Sequence, residues 1–131
     1  ALDPYGRELG LAFQAVDDVL GIWGDPAVTG KAAGNDLRER KKSMPVAIVL
    51  TGEPGAAAEL AAVYRQHGDL SDDDVARATR ILEAAGGRER TLDEAGDRLG
   101  AALAAIDGVG LVPSACDELR GLVRFVVDRR F

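Results

Sequence analysis

Apolar side chains recur at intervals of three and four residues along most of this 131-residue chain, and no stretch alternates polar and apolar residues for long. The first such segment covers residues 5–23, and its apolar stripe consists of Leu9, Phe13, Val16 and Leu20. This spacing indicates an amphipathic helix, whereas a half-buried strand needs alternation at every second residue. Aromatic residues make up only 5% of the chain, which also favours helices over a sheet. The pattern predicts an all-α fold.

Glycine, proline and capping residues divide the rest of the chain into further helices. Ser71 with Asp74 predicts one helix start through a capping box, and Pro113 or Ser114 predicts the last one. The other predicted helices cover residues 45–50, 56–67, 71–85 and 88–106. Because the connections are short, neighbouring helices are expected to run antiparallel. We therefore predict a single antiparallel helical bundle over residues 1–131, without an internal repeat or a second domain.

Charge and composition exclude several classes of function. The chain has 22 acidic and 16 basic residues and a net charge of -6, which argues against a broad nucleic-acid-binding surface. One cysteine and one histidine exclude an internal disulfide and a histidine-cluster metal site. No apolar run approaches the roughly 20 residues that cross a bilayer, so no membrane span is predicted. No secretory signal is visible either.

Two adjacent aspartates, Asp17 and Asp18, interrupt the apolar pattern of the first predicted helix. A carboxylate among buried residues is unfavourable unless it is paired or bound to a cation, and neighbouring carboxylates repel each other. A divalent cation relieves that repulsion, and Mg²⁺ suits carboxylates without histidine or cysteine better than zinc does. Gln14 lies one turn earlier and can face the same side. The pair predicts a magnesium site, with a solvated helix face or a salt bridge to Arg7 or Arg38 as the alternative.

A cationic segment, residues 31–42, follows this helix. It contains five basic and two acidic side chains, a local charge of +3. The bases are Lys31, Arg38, Arg40, Lys41 and Lys42, and the acids are Asp36 and Glu39. A phosphate ester chelated by Mg²⁺ needs carboxylates for the metal and ammonium groups for the remaining phosphate oxygens. The two features together predict a diphosphate site.

In this order and spacing, these elements resemble the trans-polyprenyl diphosphate synthases, the chain-lengthening enzymes of isoprenoid synthesis. The resemblance is sharp over residues 6–50 and only helical in character beyond them. It is carried by residues 6–14, Asp17-Asp18, Gly24-Asp25, Thr29-Gly30-Lys31, residues 34–37 and residues 41–45. The aspartate pair resembles the second aspartate-rich motif of that family. The chain, which starts at Ala1 without methionine, is therefore expected to be the C-terminal portion of a larger synthase domain.

The resemblance implies the isoprenoid synthase fold, in which two aspartate-rich motifs face each other across a cavity and hold Mg²⁺ on an allylic diphosphate. It implies a prenyltransferase that stabilises the departing diphosphate while isopentenyl diphosphate attacks the allylic carbon and a proton is lost. It also implies a cytoplasmic and homodimeric enzyme. Within this chain it distinguishes an acidic-motif helix at 1–25, a diphosphate loop at 26–43 and C-terminal helices at 44–131.

The resemblance also assigns roles by position. Asp17 and Asp18 belong to the metal site, with Asp17 the stronger ligand, and Asp36 holds metal-bound water. Lys31 and Lys41 contact the allylic diphosphate and have the catalytic role of stabilising it as it leaves.

Substrate contacts and one departure from the family pattern complete these expectations. The resemblance has Gln14 line the substrate cavity, and Phe13 can help to wall it. Gly21 stands where the family usually has the third aspartate of the motif. The loss of that carboxylate is expected to weaken the metal site or to shift ligation to Asp36 and water.

No first aspartate-rich motif and no arginine cluster for isopentenyl diphosphate occur in the sequence. Because half of a two-sided metal clamp lacks its opposing ligands, the chain alone is expected to be inactive. Two other classes stay open. One is a non-catalytic regulatory subunit or degenerate paralogue on the same scaffold, which Gly21 favours. The other is a plain helical interaction module in which the acids and lysines only pair with each other.

Overall fold

A computed structural model describes residues 2–30 and 32–129. Within these residues it contains eight α-helices and no strand, which confirms the all-α prediction. The helices are α1 (Leu2–Trp23), α2 (Pro26–Thr29), α3 (Asn35–Arg38), α4 (Met44–Leu50), α5 (Pro54–Tyr64), α6 (Asp72–Ala84), α7 (Gly87–Ile106) and α8 (Pro113–Asp128). No helix in the described part of the chain has both the length and the apolarity needed to cross a membrane.

The segment 26–43, which the sequence predicts as a loop, contains two single-turn helices. α2 begins because the Asp25 side chain accepts a hydrogen bond from the backbone N of Ala27 at 2.9 Å and Pro26 occupies the first turn. Gly30 ends α2 with φ 72°, and Gly34 precedes α3 with φ 73°. Both conformations are left-handed and favour glycine. The segment therefore has a defined path over its described residues.

α1 packs along α7, and the two helices run antiparallel. Near the start of α1, Glu8 lies 3.0 Å from Arg98 in an ion pair. At the end of α1, the Trp23 ring lies 5.6 Å from the guanidinium of Arg88, near the start of α7. The order of these contacts along the two helices is opposite, as the predicted antiparallel bundle requires.

α8 also lies beside α1, but the two helices run in the same direction. The Tyr5 hydroxyl donates to the carbonyl oxygen of Leu119 at 2.7 Å. Further along both helices, the guanidinium of Arg129 lies 4.1 Å from the centre of the Phe13 ring. α7 precedes α8 in the chain and runs antiparallel to α1. The next helix, α8, can therefore run parallel to α1.

The buried apolar residues form two cores. The first core joins α1, α7 and α8 and consists of Tyr5, Ala12, Ala15, Val16, Ala95, Leu99, Ala102, Ile106, Val123 and Val126. The second core joins the end of α1 to α3 through α6 and consists of Ile22, Leu37, Val46, Val49, Leu60, Val63, Leu70, Val75, Ala78 and Leu82. α1 passes from the first core to the second between Val16 and Ile22, and the aspartate pair lies at that passage.

Candidate metal and diphosphate site

Asp18 is buried and is held entirely by groups of the protein. Its Oδ1 accepts hydrogen bonds from Nε2 of Gln14 at 2.9 Å and from Nζ of Lys41 at 3.2 Å, and its Oδ2 accepts from the backbone N of Met44 at 2.9 Å. Met44 opens α4, so this last bond satisfies one of the free N–H groups at a helix start. Asp18 therefore joins α1 to α4 and holds the ammonium of Lys41.

Asp36 brings a second buried carboxylate to the same ammonium group. It lies on α3, and its Oδ2 is 3.5 Å from Nζ of Lys41. Burial lowers the pKa of Lys41, but its hydrogen bond to Asp18 and the charges of Asp18 and Asp36 outweigh that effect and leave the pKa above its ordinary value. Lys41 is thus a cation at neutral pH, placed between carboxylates from two helices.

The backbone at Lys41 is fixed by contacts with the end of α5. Arg40 has φ 52° and is the one non-glycine residue with positive φ in the described ranges. Its guanidinium donates to the carbonyl oxygens of Tyr64 at 3.2 Å, of Gln66 at 2.9 Å and of Gly68. The Tyr64 hydroxyl donates to the carbonyl oxygen of Lys41 at 2.9 Å. These bonds offset the unfavourable backbone conformation and set the direction of the Lys41 side chain.

Asp17 faces a different direction from Asp18, because successive helix residues are rotated by about 100°. Its side chain is 44% exposed, and its Oδ1 lies 3.5 Å from Nη2 of Arg129. Arg129, from the end of the chain, also covers the face of the Phe13 ring. A guanidinium over an aromatic ring is electrostatically favourable. The end of α8 therefore reaches the aspartate pair from the side of Asp17.

A cavity of about 390 Å³ lies in front of these groups. Its lining residues are Asp17, Leu20, Gly21, Val28, Thr29, Asp36, Lys41, Asp128 and Arg129. Two of the predicted carboxylates, Asp17 and Asp36, line it together with Lys41, whereas Asp18 is not among the lining residues. The neighbouring aspartates thus differ in position: Asp17 borders the cavity, and Asp18 supports Lys41 from inside the protein.

The predicted site residues fall in four places. Asp17, Asp36 and Lys41 line the cavity. Asp18 and Gln14 form a hydrogen-bonded pair, and Phe13 lies against Arg129, 41% exposed. Lys31 lies outside the described residues. Arg129 is not among the residues predicted from the sequence, since no motif connects it to α1 and only the packing of α8 brings it there.

The side chains at the cavity fit a metal that arrives with a phosphate ligand. No group of three or more His, Cys, Asp or Glu side chains in the described residues is placed to hold a metal ion. Three carboxylates line the cavity, those of Asp17, Asp36 and Asp128, and the ammonium of Lys41 lies beside that of Asp36. Mg²⁺ commonly binds through one or two protein carboxylates, with waters and phosphate oxygens as its other ligands. The donor set suits that arrangement and not a closed metal cage.

The Polyprenyl synthetase family model matches residues 1–82, and the chain belongs to this family. The chain is 50% identical over 106 residues to geranylgeranyl diphosphate synthase of Mycobacterium tuberculosis, which covers 81% of this chain and 30% of that protein. It is 39% identical over 133 residues to (2E,6E)-farnesyl diphosphate synthase of the same organism, which covers 99% of this chain and 37% of that protein. Its relatives are thus prenyl diphosphate synthases, and the chain spans about a third of their length.

Solved structures of the same family share the fold. The polyprenyl synthetase from Streptomyces coelicolor A3(2) superimposes with a TM-score of 0.89 at 41% identity, over 95% of this chain and 39% of that one. The geranylgeranyl pyrophosphate synthase from Corynebacterium glutamicum, complexed with isoprenyl diphosphate and magnesium, gives a TM-score of 0.83 at 35% identity, over 96% of this chain and 36% of that one. These neighbours support the isoprenoid synthase fold expected from the sequence.

Proposed function

We propose that this chain supplies the second Mg²⁺–diphosphate half-site of a polyprenyl diphosphate synthase. The intact enzyme would condense an allylic diphosphate with isopentenyl diphosphate. The observation that carries this proposal is the convergence of Asp17, Asp36 and Lys41 on one cavity where α1 passes between the two cores. A metal-chelated diphosphate needs carboxylates for the metal and an ammonium group for the remaining phosphate oxygens, and the cavity has both.

The carboxylates that could bind the metal differ in their exposure and in the protein groups that already contact them. Asp17 is partly exposed beside the cavity, with one contact at 3.5 Å to Arg129, so it is available as the direct ligand. Asp36 would act through metal-bound water, and Asp18 would act from behind by holding Lys41 and Gln14. When bound, Mg²⁺ would neutralise charge on the diphosphate and so ease its departure.

On the phosphate side, Lys41 is the described ammonium group at the cavity. Its Nζ is already held by Asp18 and Asp36, so it can donate to phosphate oxygens without a large further loss of side-chain freedom. Lys31 remains the second predicted lysine of this role. Both would stabilise negative charge on the leaving group, which is the catalytic contribution that we assign to them.

The remaining expectations concern the whole enzyme. Gln14 and Phe13 would line the isoprenoid cavity, isopentenyl diphosphate would bind across from this half-site, and the intact enzyme would be a cytoplasmic homodimer. Because the sequence lacks the opposing acidic motif and the arginine cluster, the 131-residue chain alone is expected to bind Mg²⁺ and pyrophosphate without condensing the two substrates.

A non-catalytic regulatory subunit or degenerate paralogue is the second candidate. Gly21 favours it, because α1 lacks a carboxylate one turn after Asp17. Such a protein would keep the helical scaffold and the buried pair of Asp18 and Lys41, but it would not bind a metal-chelated diphosphate in the cavity.

Calorimetric titration of Mg²⁺ with inorganic pyrophosphate into the chain tests the proposal. Wild type is expected to bind, and Asp17→Ala and Lys41→Gln are each expected to weaken binding by about 10- to 100-fold. Lys42→Gln is the matched control, since Lys42 is an exposed neighbour of the same charge that does not line the cavity. Circular dichroism would verify that each variant keeps its helices.

Two outcomes would contradict the half-site. One is the absence of Mg²⁺-dependent pyrophosphate binding by the wild-type chain. The other is binding that Asp17→Ala, Lys41→Gln and Lys42→Gln leave equally strong, since the two cavity groups would then contribute no more than a solvated surface lysine.

A further inference from the structure

Gly21 lies inside α1, one turn after Asp17, at a point where a side chain would overlap Asp36. An ideal β-carbon at position 21 would have the carboxylate of Asp36 as its three nearest atoms, with Oδ1 at 2.8 Å and the other two closer still. Real β-carbons do not approach other atoms so closely. The carboxylate of Asp36 therefore occupies the space that a side chain at position 21 would need.

The other glycines of α1 show that this contact is specific. A β-carbon at Gly6 or at Gly10 would have no atom within 4 Å. The backbone of Gly21 is helical, with no positive φ, so its conformation does not require glycine. A glycine inside a helix is unfavourable relative to alanine. The feature that explains Gly21 is the carboxylate that lies against it.

Asp36 reaches this position from a different helix. It is buried on α3, its Oδ2 lies 3.5 Å from Nζ of Lys41, and it lines the same cavity as Asp17 and Gly21. Its carboxylate thus lies beside the turn of α1 that follows Asp17, which is where α1 itself has no acidic side chain.

We infer that Gly21 is a positioning residue that lets Asp36 serve as the carboxylate missing from α1. In this arrangement Asp17 contributes from α1 and Asp36 from α3, and Lys41 stays between Asp36 and Asp18. The inference rests on the proposed Mg²⁺–diphosphate half-site. It has a testable consequence: in this chain, an alanine at position 21 would have to displace the Asp36 carboxylate and is therefore expected to weaken the site.

A double-mutant cycle tests this inference by calorimetry with Mg²⁺ and inorganic pyrophosphate. Gly21→Ala is expected to weaken binding by about 10- to 100-fold, as the loss of a supporting group at a metal site commonly does. In an Asp36→Ala background the same change is expected to have little further effect, because no carboxylate is left to displace. Gly10→Ala, on the same face of α1, is the matched control and should bind as wild type does.

Thermal unfolding separates positioning from a structural role. Gly21→Ala is expected to raise the melting temperature or leave it unchanged while binding is weakened, because alanine is the better helix former and Asp36 can rotate away. A crystal structure of metal-free Gly21→Ala should show the Asp36 carboxylate displaced from Lys41.

The outcomes distinguish this inference from the proposed function. A wild-type chain that does not bind Mg²⁺ with pyrophosphate overturns both. A wild-type chain that binds, with Gly21→Ala binding equally well, overturns this inference alone. So does a Gly21→Ala effect of the same size with and without Asp36, or a variant structure in which Asp36 has not moved.

Discussion

The two apolar cores of this molecule differ in how completely the chain covers them. Between residues 32 and 106, a range that the structure describes throughout and that holds nearly all of the second core, no large apolar side chain is exposed. The exposed ones in the described residues all lie in 2–28 or 109–125, and they are Leu2, Leu11, Phe13, Val28, Val109, Val112, Leu122 and Phe125. The exposed large apolar side chains thus lie on or next to α1 and α8, two helices of the first core.

A groove between the start of α1 and α8 lies beside two of these exposed side chains, Leu2 and Leu122. It has a volume of about 370 Å³, and its lining is mainly apolar: Leu2, Leu111, Ala115, Glu118, Leu119 and Leu122. Large contiguous apolar patches on a protein surface mark sites where another protein, a membrane or a ligand can bind.

Truncating Leu82 in the second core and Leu122 on α8 should give the largest difference in the free energy of unfolding. Leu82 is fully buried in the second core, so Leu82→Ala is expected to lower the free energy of unfolding by about 2–5 kcal/mol. Leu122 on α8 is 50% exposed, and Leu122→Ala is expected to change it by less than about 0.5 kcal/mol. Urea denaturation followed by circular dichroism measures both. Similar losses for the two variants would mean that the first core is covered in solution, for example by self-association.

The adjacent aspartates should give the next largest contrast. Asp18→Ala leaves the N–H of Met44 and the amide of Gln14 without their acceptor, so we expect a loss of about 1–3 kcal/mol in the free energy of unfolding. Asp17→Ala removes only a partly exposed ion pair with Arg129, worth less than about 0.5 kcal/mol. The same denaturation experiment applies. Equal destabilisation would contradict the assignment of Asp18 to the interior and Asp17 to the cavity.

Much of the fold could be predicted because its signals are local. The capping box of Ser71 and Asp74 is present at the start of α6, and Pro113 is the first residue of α8. The parallel placement of α8 on α1 could not be predicted, because it depends on packing between distant segments. The short helices α2 and α3 were missed since single turns have no apolar periodicity.

Three of the residues predicted for the site, Asp17, Asp36 and Lys41, line one cavity, but the directions of their side chains could not be predicted. The spacing of acids and bases selected Asp36 and Lys41, which the structure places in one ion pair. It could not tell Asp17 from Asp18, because adjacent helix residues face different directions and the sequence does not state which one points inward. The sequence linked Gly21 to Asp36 only through an expected shift of metal ligation, and the direct contact between them could not be predicted because it joins two helices through a reversal of the chain.

The smallest expected effect is on the pH dependence of the free energy of unfolding. It concerns the two tyrosines, Tyr5 in the first core and Tyr64 beside the second. Burial and the nearby charge of Asp36 raise the pKa of Tyr64, beside the second core, to about 12, whereas burial alone raises the pKa of Tyr5 in the first core. A folded-state pKa above the ordinary value of 10.0 means that the folded protein holds this proton more tightly than the unfolded chain does. The stabilisation is therefore complete below about pH 10 and is lost as the pH rises toward about 12.

Tyr64→Phe should remove part of the loss of folding stability that occurs as the pH rises from about 10 to about 12. Because the ring is partly exposed, we expect the wild type to lose no more than about 1 kcal/mol through Tyr64 between these pH values. Denaturation of wild type, Tyr64→Phe and Tyr5→Phe at neutral and alkaline pH measures the difference, and ultraviolet absorbance of phenolate follows ionisation directly. Tyr5→Phe is the matched control, because it removes a buried hydroxyl far from Asp36. If Tyr64 ionises near pH 10, the burial of its hydroxyl, which is the larger cause of the raised pKa, is contradicted.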